Sequence, residues 1–204
     1  MASRLNPTGR IAVTHRRRKG LLTRILLAAF FLSLTASGES PDGGLGNQVK
    51  AMFLFNLAKF VEWPAEKMAA GTPIVIGIIG QDPFGGSLEK TLRGKTVSGR
   101  ALTIRRLTEL TDVEVKGCHI LFISASEKKR ITQILQKVKI DGVLTMAEVK
   151  GFAEQGGMVN LTTRDDTVGL EVNANAVERA RIKISYKLLR LARIVQEQNP
   201  RGKS

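Results

Sequence analysis

Apolar and polar positions along the chain fall into blocks whose period changes, and the blocks predict the elements. From Val49 to Trp63, VKAMFLFNLAKFVEW is broken only by Lys50, Asn56, Lys59 and Glu62. It predicts a helix that Pro64 stops, apolar nearly all round and therefore buried on more than one side. Pro73 to Ile79 reads as a strand, followed by a Gly-rich loop and a helix from Ser87 to Leu92. Ala101 to Leu107 (ALTIRRL) alternates as a strand does, and Cys118 to Ser124 (CHILFIS) is the continuous apolar run of a central strand covered on both faces. Ser126 is placed to cap the helix EKKRITQILQKVK, whose stripe Ile131, Ile134, Leu135 and Val138 marks its buried side.

Gly142 to Met146 is the next strand. GMVNLTT and TVGLEVN, on either side of Arg164-Asp165-Asp166, predict an antiparallel hairpin. Val177, Ala180, Ile184, Leu188, Leu191 and Val195 then recur at spacings of three and four, predicting one C-terminal helix from Asn175 to Gln196. Arg179, Lys183, Arg190 and Arg193 form a basic stripe on another face of that helix. This order of elements implies an α/β fold, a single-domain sandwich of a mixed β-sheet flanked by α-helices.

Composition changes the picture chiefly at the N-terminus. Residues 1–38 carry Arg4, Arg10, Arg16, Arg17, Arg18, Lys19 and Arg24 and no acidic residue, then the apolar run Ile25 to Leu34 and the small-x-small site Ala36-Ser37-Gly38. That is the pattern of a cleaved secretory signal peptide, and the run is shorter than the ~20 apolar residues of a membrane span. The expected organisation is a signal peptide at 1–38, a flexible Gly/Pro-rich leader at 39–47, an α/β domain at 48–197 and a tail at 198–204. Export out of the cytoplasm follows. The net charge of +14 suggests nucleic acid, but seven of the 32 basic residues lie in 1–38. The 25 that remain face 18 acidic residues, a net charge of +7 that does not imply a nucleic-acid partner. Cys118 is the only cysteine, so no intramolecular disulfide can form, and its apolar surroundings point to a buried thiol.

Three kinds of chemistry are testable on the residues. The turn Gly80-Gln81-Asp82-Pro83-Phe84-Gly85 lacks the glycine spacing of a dinucleotide loop and puts a carboxylate where a phosphate would lie. Gly94-Lys95-Thr96 has Glu89 where a Walker loop needs its first glycine. Cys118 and His119 are adjacent in a strand, so their side chains point to opposite faces and do not pair. One such cysteine and histidine also leave too few ligands for a zinc site. Asn160-Leu161-Thr162 fits the glycosylation pattern but falls in a predicted strand. No catalytic residue, cofactor or metal is therefore expected, and a binding or regulatory module is the better class.

Five stretches, taken together and in order, resemble the YfiR family: KAMFLFNLAKFVEWP, GIIGQDPFGGSLEKTLRGKTVSGRALTIRRL, CHILFISASE, VLTMAEVKGFAEQGGMVNL and LEVNANAVERARIKISYKLLRLARIV. They cover roughly Gln48 to Gln196. The resemblance implies an exported bacterial signalling protein with an α/β sandwich fold, commonly a homodimer. It also implies repression of an inner-membrane diguanylate cyclase through that enzyme's periplasmic portion, which lowers cyclic-di-GMP and biofilm formation. Related domains serve as extracytoplasmic sensors of histidine kinases, so a small-molecule sensor acting through another partner is the alternative. Relatives carry cysteine pairs that this chain lacks, and Tyr186 stands where a small residue is usual.

Three surfaces are candidates for partner or ligand binding. In the first, Asp82 and Pro83 start the following helix as N-cap and first residue, or Phe84 offers an apolar tip to a partner. Arg100 there pairs with Asp82 or meets an anion. In the second, Glu171 alternates away from Leu170 and Val172 and, near Arg179 and Lys183, forms a polar cluster or a plain solvated face, with Asn173 as the helix N-cap. The third is the apolar helix, with Phe53, Phe60 and Trp63 as an interface or as core.

Overall fold

The computed structural model describes residues 41–139, 142–164 and 167–197. The expected signal peptide and the tail lie outside the described residues, as does most of the Arg164-Asp165-Asp166 turn. Helix α1 runs over Pro41–Lys59, so it starts eight residues before the predicted Val49 and takes in the expected leader from Pro41 onward. Then follow β1 (Val61–Glu62), β2 (Ile74–Ile79), α2 (Ser87–Leu92), β3 (Thr96–Val97), β4 (Arg100–Leu107), α3 (Asp112–Lys116) and β5 (Ile120–Ile123). After a short 3-10 turn come α4 (Ile131–Lys137), β6 (Leu144–Ala147), β7 (Val159–Arg164), β8 (Thr167–Val172), α5 (Ala174–Arg179), β9 (Lys183–Ile184), α6 (Tyr186–Leu189) and β10 (Arg193–Ile194).

Eight strands form one mixed sheet in the order β10-β8-β7-β6-β5-β2-β4-β3, and β1 pairs with β9 in a separate ribbon. The centre is parallel: β2 pairs with β4 and β5, and β5 with β6. The β3–β4 and β7–β8 pairs are antiparallel hairpins. At the first, Ser98 and Gly99 both have positive φ (50° and 76°), the geometry a two-residue hairpin turn requires. The expected mixed sheet flanked by helices is the observed architecture.

Every residue of β2 and β5 is buried, because both faces of the central sheet are covered. One face packs Ile74, Ile76, Ile78, Ile120 and Phe122 under α1 and α2. The other packs Val75, Ile79, Leu121 and Ile123 under α3 and α4, with Val149 and Phe152 of the loop after β6. Gly77 leaves room for the second layer, since a Cβ there would lie 2.6 Å from the Sγ of Cys118.

The predicted C-terminal helix is the largest departure. Helix α5 ends where Arg181 takes up φ 57° and the Ile182 amide turns back to donate to the Val177 carbonyl (3.2 Å). A left-handed residue cannot continue a right-handed helix. Ile184 then pairs with Val61 as a strand, and Ser185 caps the separate helix α6. Val177, Ala180, Leu188 and Val195 of the predicted stripe are buried but belong to different elements, and Leu191 is 79 % exposed.

Candidate functional site

On the face that carries α3 and α4, helices cover β2, β5 and β6 but leave β7 and β8 open. A cleft of about 1490 Å³ opens there, walled by α4, the loop from Glu148 to Gly156, and α5. Its floor follows from strand alternation. Val159 and Leu161 of β7 face α1 together with Leu170 and Val172 of β8, so Asn160 and Glu171 face the cleft.

The register makes these two residues direct partners. Ala147 of β6 lies beside Asn160, Asn160 opposite Glu171, and Glu171 beside Arg193 of β10. Four neighbouring strands thus line up one row of side chains, three of them polar. Asn160, fully buried, donates from Nδ2 to Glu171 Oε2 (3.0 Å) and accepts the Val149 amide on Oδ1 (3.0 Å). Arg193 donates to Glu171 Oε1 (2.5 Å) and to Glu154 Oε1 (3.3 Å), which ties the edge strand to the loop. Glu154 Oε2 is buried and has no hydrogen-bond partner among the described residues. Thr145, one pleat before Ala147 on the same face, accepts the Met158 amide (3.1 Å). In the next row a Cβ on Gly169 would sit 2.7 Å from Thr162 Oγ1, so glycine lets the threonine lie flat across β8.

A hydrogen-bonded carboxylate and amide on the floor, with an exposed arginine at the rim, can orient a polar ligand or peptide segment. Glu171 is buried yet ionic, and this is affordable because each carboxylate oxygen has a donor. The row holds no nucleophile beside a base. Among the described residues no cluster of three or more His, Cys, Asp or Glu is placed to hold a metal ion.

The predicted site residues are distributed differently from the expectation. Glu171 is in the cleft, but its cationic partner is Arg193. Arg179 also lines the cleft, paired with Glu197 (2.5 Å), whereas Lys183 sits on β9 against β1. The break of the predicted helix explains both displacements. Asn173 does cap α5, accepting the Ala176 amide (3.0 Å).

The Asp82 loop is corrected in three respects. Asp82 caps a turn, accepting the Phe84 amide (2.7 Å), and Gly86 precedes α2. Its charge partner is Arg106 (2.6 Å) rather than Arg100, and Arg106 also bonds Glu89. Phe84 is no exposed tip: it is fully buried, edge-on to Phe122 with ring centroids 4.9 Å apart. Arg100 donates instead to the carbonyls of Met68, Ala69 and Thr72, locking the turn before β2. Of the apolar helix candidates, Phe53 and Phe60 are half-buried against the core, and Trp63 is buried with Nε1 donating to the His119 carbonyl (3.1 Å). His119 is structural: Nδ1 accepts the Val75 amide (3.1 Å) and Nε2 meets the Lys67 carbonyl (3.1 Å). Cys118 is buried, and burial pushes its thiol pKa up.

Asn160 and Arg193 were missed as site residues. Asn160 was legible: a hairpin that turns at residues 165–166 pairs position 160 with 171 by register alone. Arg193 was not, because its strand looked helical.

Residues 47–193 match the model of the YfiR/HmsC-like family. No curated protein matches the chain. The match spans well over half the chain, in line with the resemblance carried by the five stretches, and the chain belongs to the YfiR/HmsC-like family.

Proposed function

We propose that this protein is an exported, non-catalytic regulator that binds the periplasmic part of an inner-membrane diguanylate cyclase and represses it. Repression lowers cyclic-di-GMP and, with it, biofilm formation. The observation that carries this reading is the family match across residues 47–193, which takes in the large sheet from β2 to β8 and reaches the start of β10. The cleft adds a further element: its polar floor of Asn160, Glu171 and Arg193 suits a small effector that tunes the repression.

Deleting the gene tests the reading, with cyclic-di-GMP measured by mass spectrometry. The level is expected to rise, and an unchanged level rejects repression. Removing the inner-membrane diguanylate cyclases one by one in that background then identifies the partner as the enzyme whose loss cancels the rise. If a histidine kinase instead co-purifies with the protein and cyclic-di-GMP does not respond, the chain acts as a sensor through that kinase.

A further inference from the structure

Between Glu178 and Glu197 the sequence holds six basic residues and no acidic one. The structure divides the six. Arg179, Arg181 and Arg193 are paired with Glu197, Glu66 and the Glu171–Glu154 couple. Among the described residues Lys183, Lys187 and Arg190 have no carboxylate partner. The same segment exposes apolar side chains: of five exposed large hydrophobic residues among the described ones, Tyr186 (73 %), Leu191 (79 %) and Ile194 (51 %) lie within nine positions.

Local geometry gathers them. Leu188 anchors α6 in the core, which leaves Tyr186 and Lys187 outside. The Arg190 amide donates to the Tyr186 carbonyl (3.0 Å), so Arg190 sits one turn above Tyr186, and the Leu191 amide donates to the Leu188 carbonyl (3.0 Å) in the turn that follows. Ile194 follows on β10, the last strand of the sheet. The Val195 amide donates to Val172 (2.9 Å), and backbone groups alternate sides along a strand, so the N–H and C=O of Ile194 point away from the sheet. A compact surface thus combines apolar side chains, unpaired cations and an open strand edge.

We propose that α6 and β10 form the surface that docks the regulated protein, through a segment carrying carboxylates beside apolar side chains and extended enough to add to the β10 edge. This rests on the reading of the chain as a repressor and names the face it uses. A second copy fits poorly, because a two-fold contact would set Lys187 and Arg190 against their own counterparts. A membrane surface fits less well than a protein strand, because lipid tails cannot satisfy the outward N–H and C=O of Ile194.

The test uses the mature protein and the purified periplasmic portion of the diguanylate cyclase identified by the deletion experiment, with affinity measured by titration calorimetry. Leu191→Glu and the double variant Lys187→Glu/Arg190→Glu are each expected to weaken binding about tenfold or more while keeping the wild-type Tm. The double variant should also flatten the salt dependence of binding. Leu191→Ser replaces Leu191→Glu if the charged variant unfolds. Unaltered affinity in these variants overturns the docking surface and leaves the repressor reading standing. Absence of binding by the wild-type protein overturns both. Pelleting with phosphatidylglycerol vesicles that Leu191→Glu abolishes would assign the face to the membrane and overturn the proposal. So would a wild-type dimer that Leu191→Glu converts to monomer in sedimentation velocity.

Discussion

His119 shows how one side chain can hold several segments at once. Its Nδ1 accepts the Val75 amide, its Nε2 donates to the Lys67 carbonyl, and its own carbonyl accepts the Trp63 indole. Protonation would put a second N–H against the Val75 amide, so the neutral form belongs to the fold. Burial is the largest influence on its pKa, lowering it from 6.5; the hydrogen bond to the Lys67 carbonyl opposes this, and the charges of Lys67 and Arg100 add to the lowering. A histidine whose pKa is lower folded than unfolded takes up protons on unfolding, so stability falls as pH drops below the unfolded value of 6.5 and through the folded one. Thermal unfolding should therefore show a Tm that decreases from about pH 7 to about pH 5, with His119→Gln less stable at pH 7 and shallower in slope. At Glu171 the consequence is structural. Glu171→Leu removes the acceptor of the buried Asn160 amide and the innermost partner of Arg193, and is expected to lower stability by about 1–3 kcal/mol in urea unfolding. A loss below a few tenths would mean that the row is no working network.

At the scale of elements, the loop Gly80 to Gly86 shows how an apparent surface motif can be core. Asp82 turns the chain by accepting the Phe84 amide, and the ring is thereby directed inward onto Phe122. The glycines that suggested a mobile, exposed tip instead supply the left-handed backbone, with φ 54° at Gly85 and 82° at Gly86. Phe84→Ala should cost about 3–5 kcal/mol, as deletion of a fully buried ring does, read as a shift in denaturation midpoint at constant m-value. A surface residue would change stability by a few tenths at most. The break between α5 and β9 illustrates the opposite error. A three-and-four spacing over 175–196 is what one long helix would show, yet Arg181 interrupts it and the pieces serve different layers. This break places Arg193 beside Glu171 and leaves Leu191, in the turn after α6, exposed to solvent.

At the scale of the molecule, a lone buried cysteine separates this protein from any mechanism that needs an internal disulfide. The Sγ of Cys118 donates to the Glu114 carbonyl (3.3 Å), and burial pushes its pKa up, so it is a poor nucleophile. Reductant should leave Tm unchanged, and iodoacetamide should modify the protein only after unfolding. Labelling of the native protein, followed by mass spectrometry, would reject this assignment. The sheet also separates two surfaces in space. The cleft lies over the polar face of β7 and β8, and the α6–β10 surface at the adjoining edge, joined through Arg193.

What the sequence determined by itself is what depends on short-range periodicity. Continuous apolar runs marked the covered strands β2 and β5, alternation marked β7 and β8, and Asn173 announced the start of α5, because each rests on neighbours within a few residues. The hairpin register even contained the Asn160–Glu171 pair. The tertiary structure alone decided which charge meets which, and which apolar side chain is inside. Arg106 reached Asp82 because β4 lies beside β2, and Arg193 reached Glu171 because a left-handed residue turned a helix pattern into an edge strand. Phe84 was buried because Phe122, 38 positions away in sequence, was waiting beneath it. Such contacts follow from strand order and from chain reversals, and no local pattern of residues encodes them.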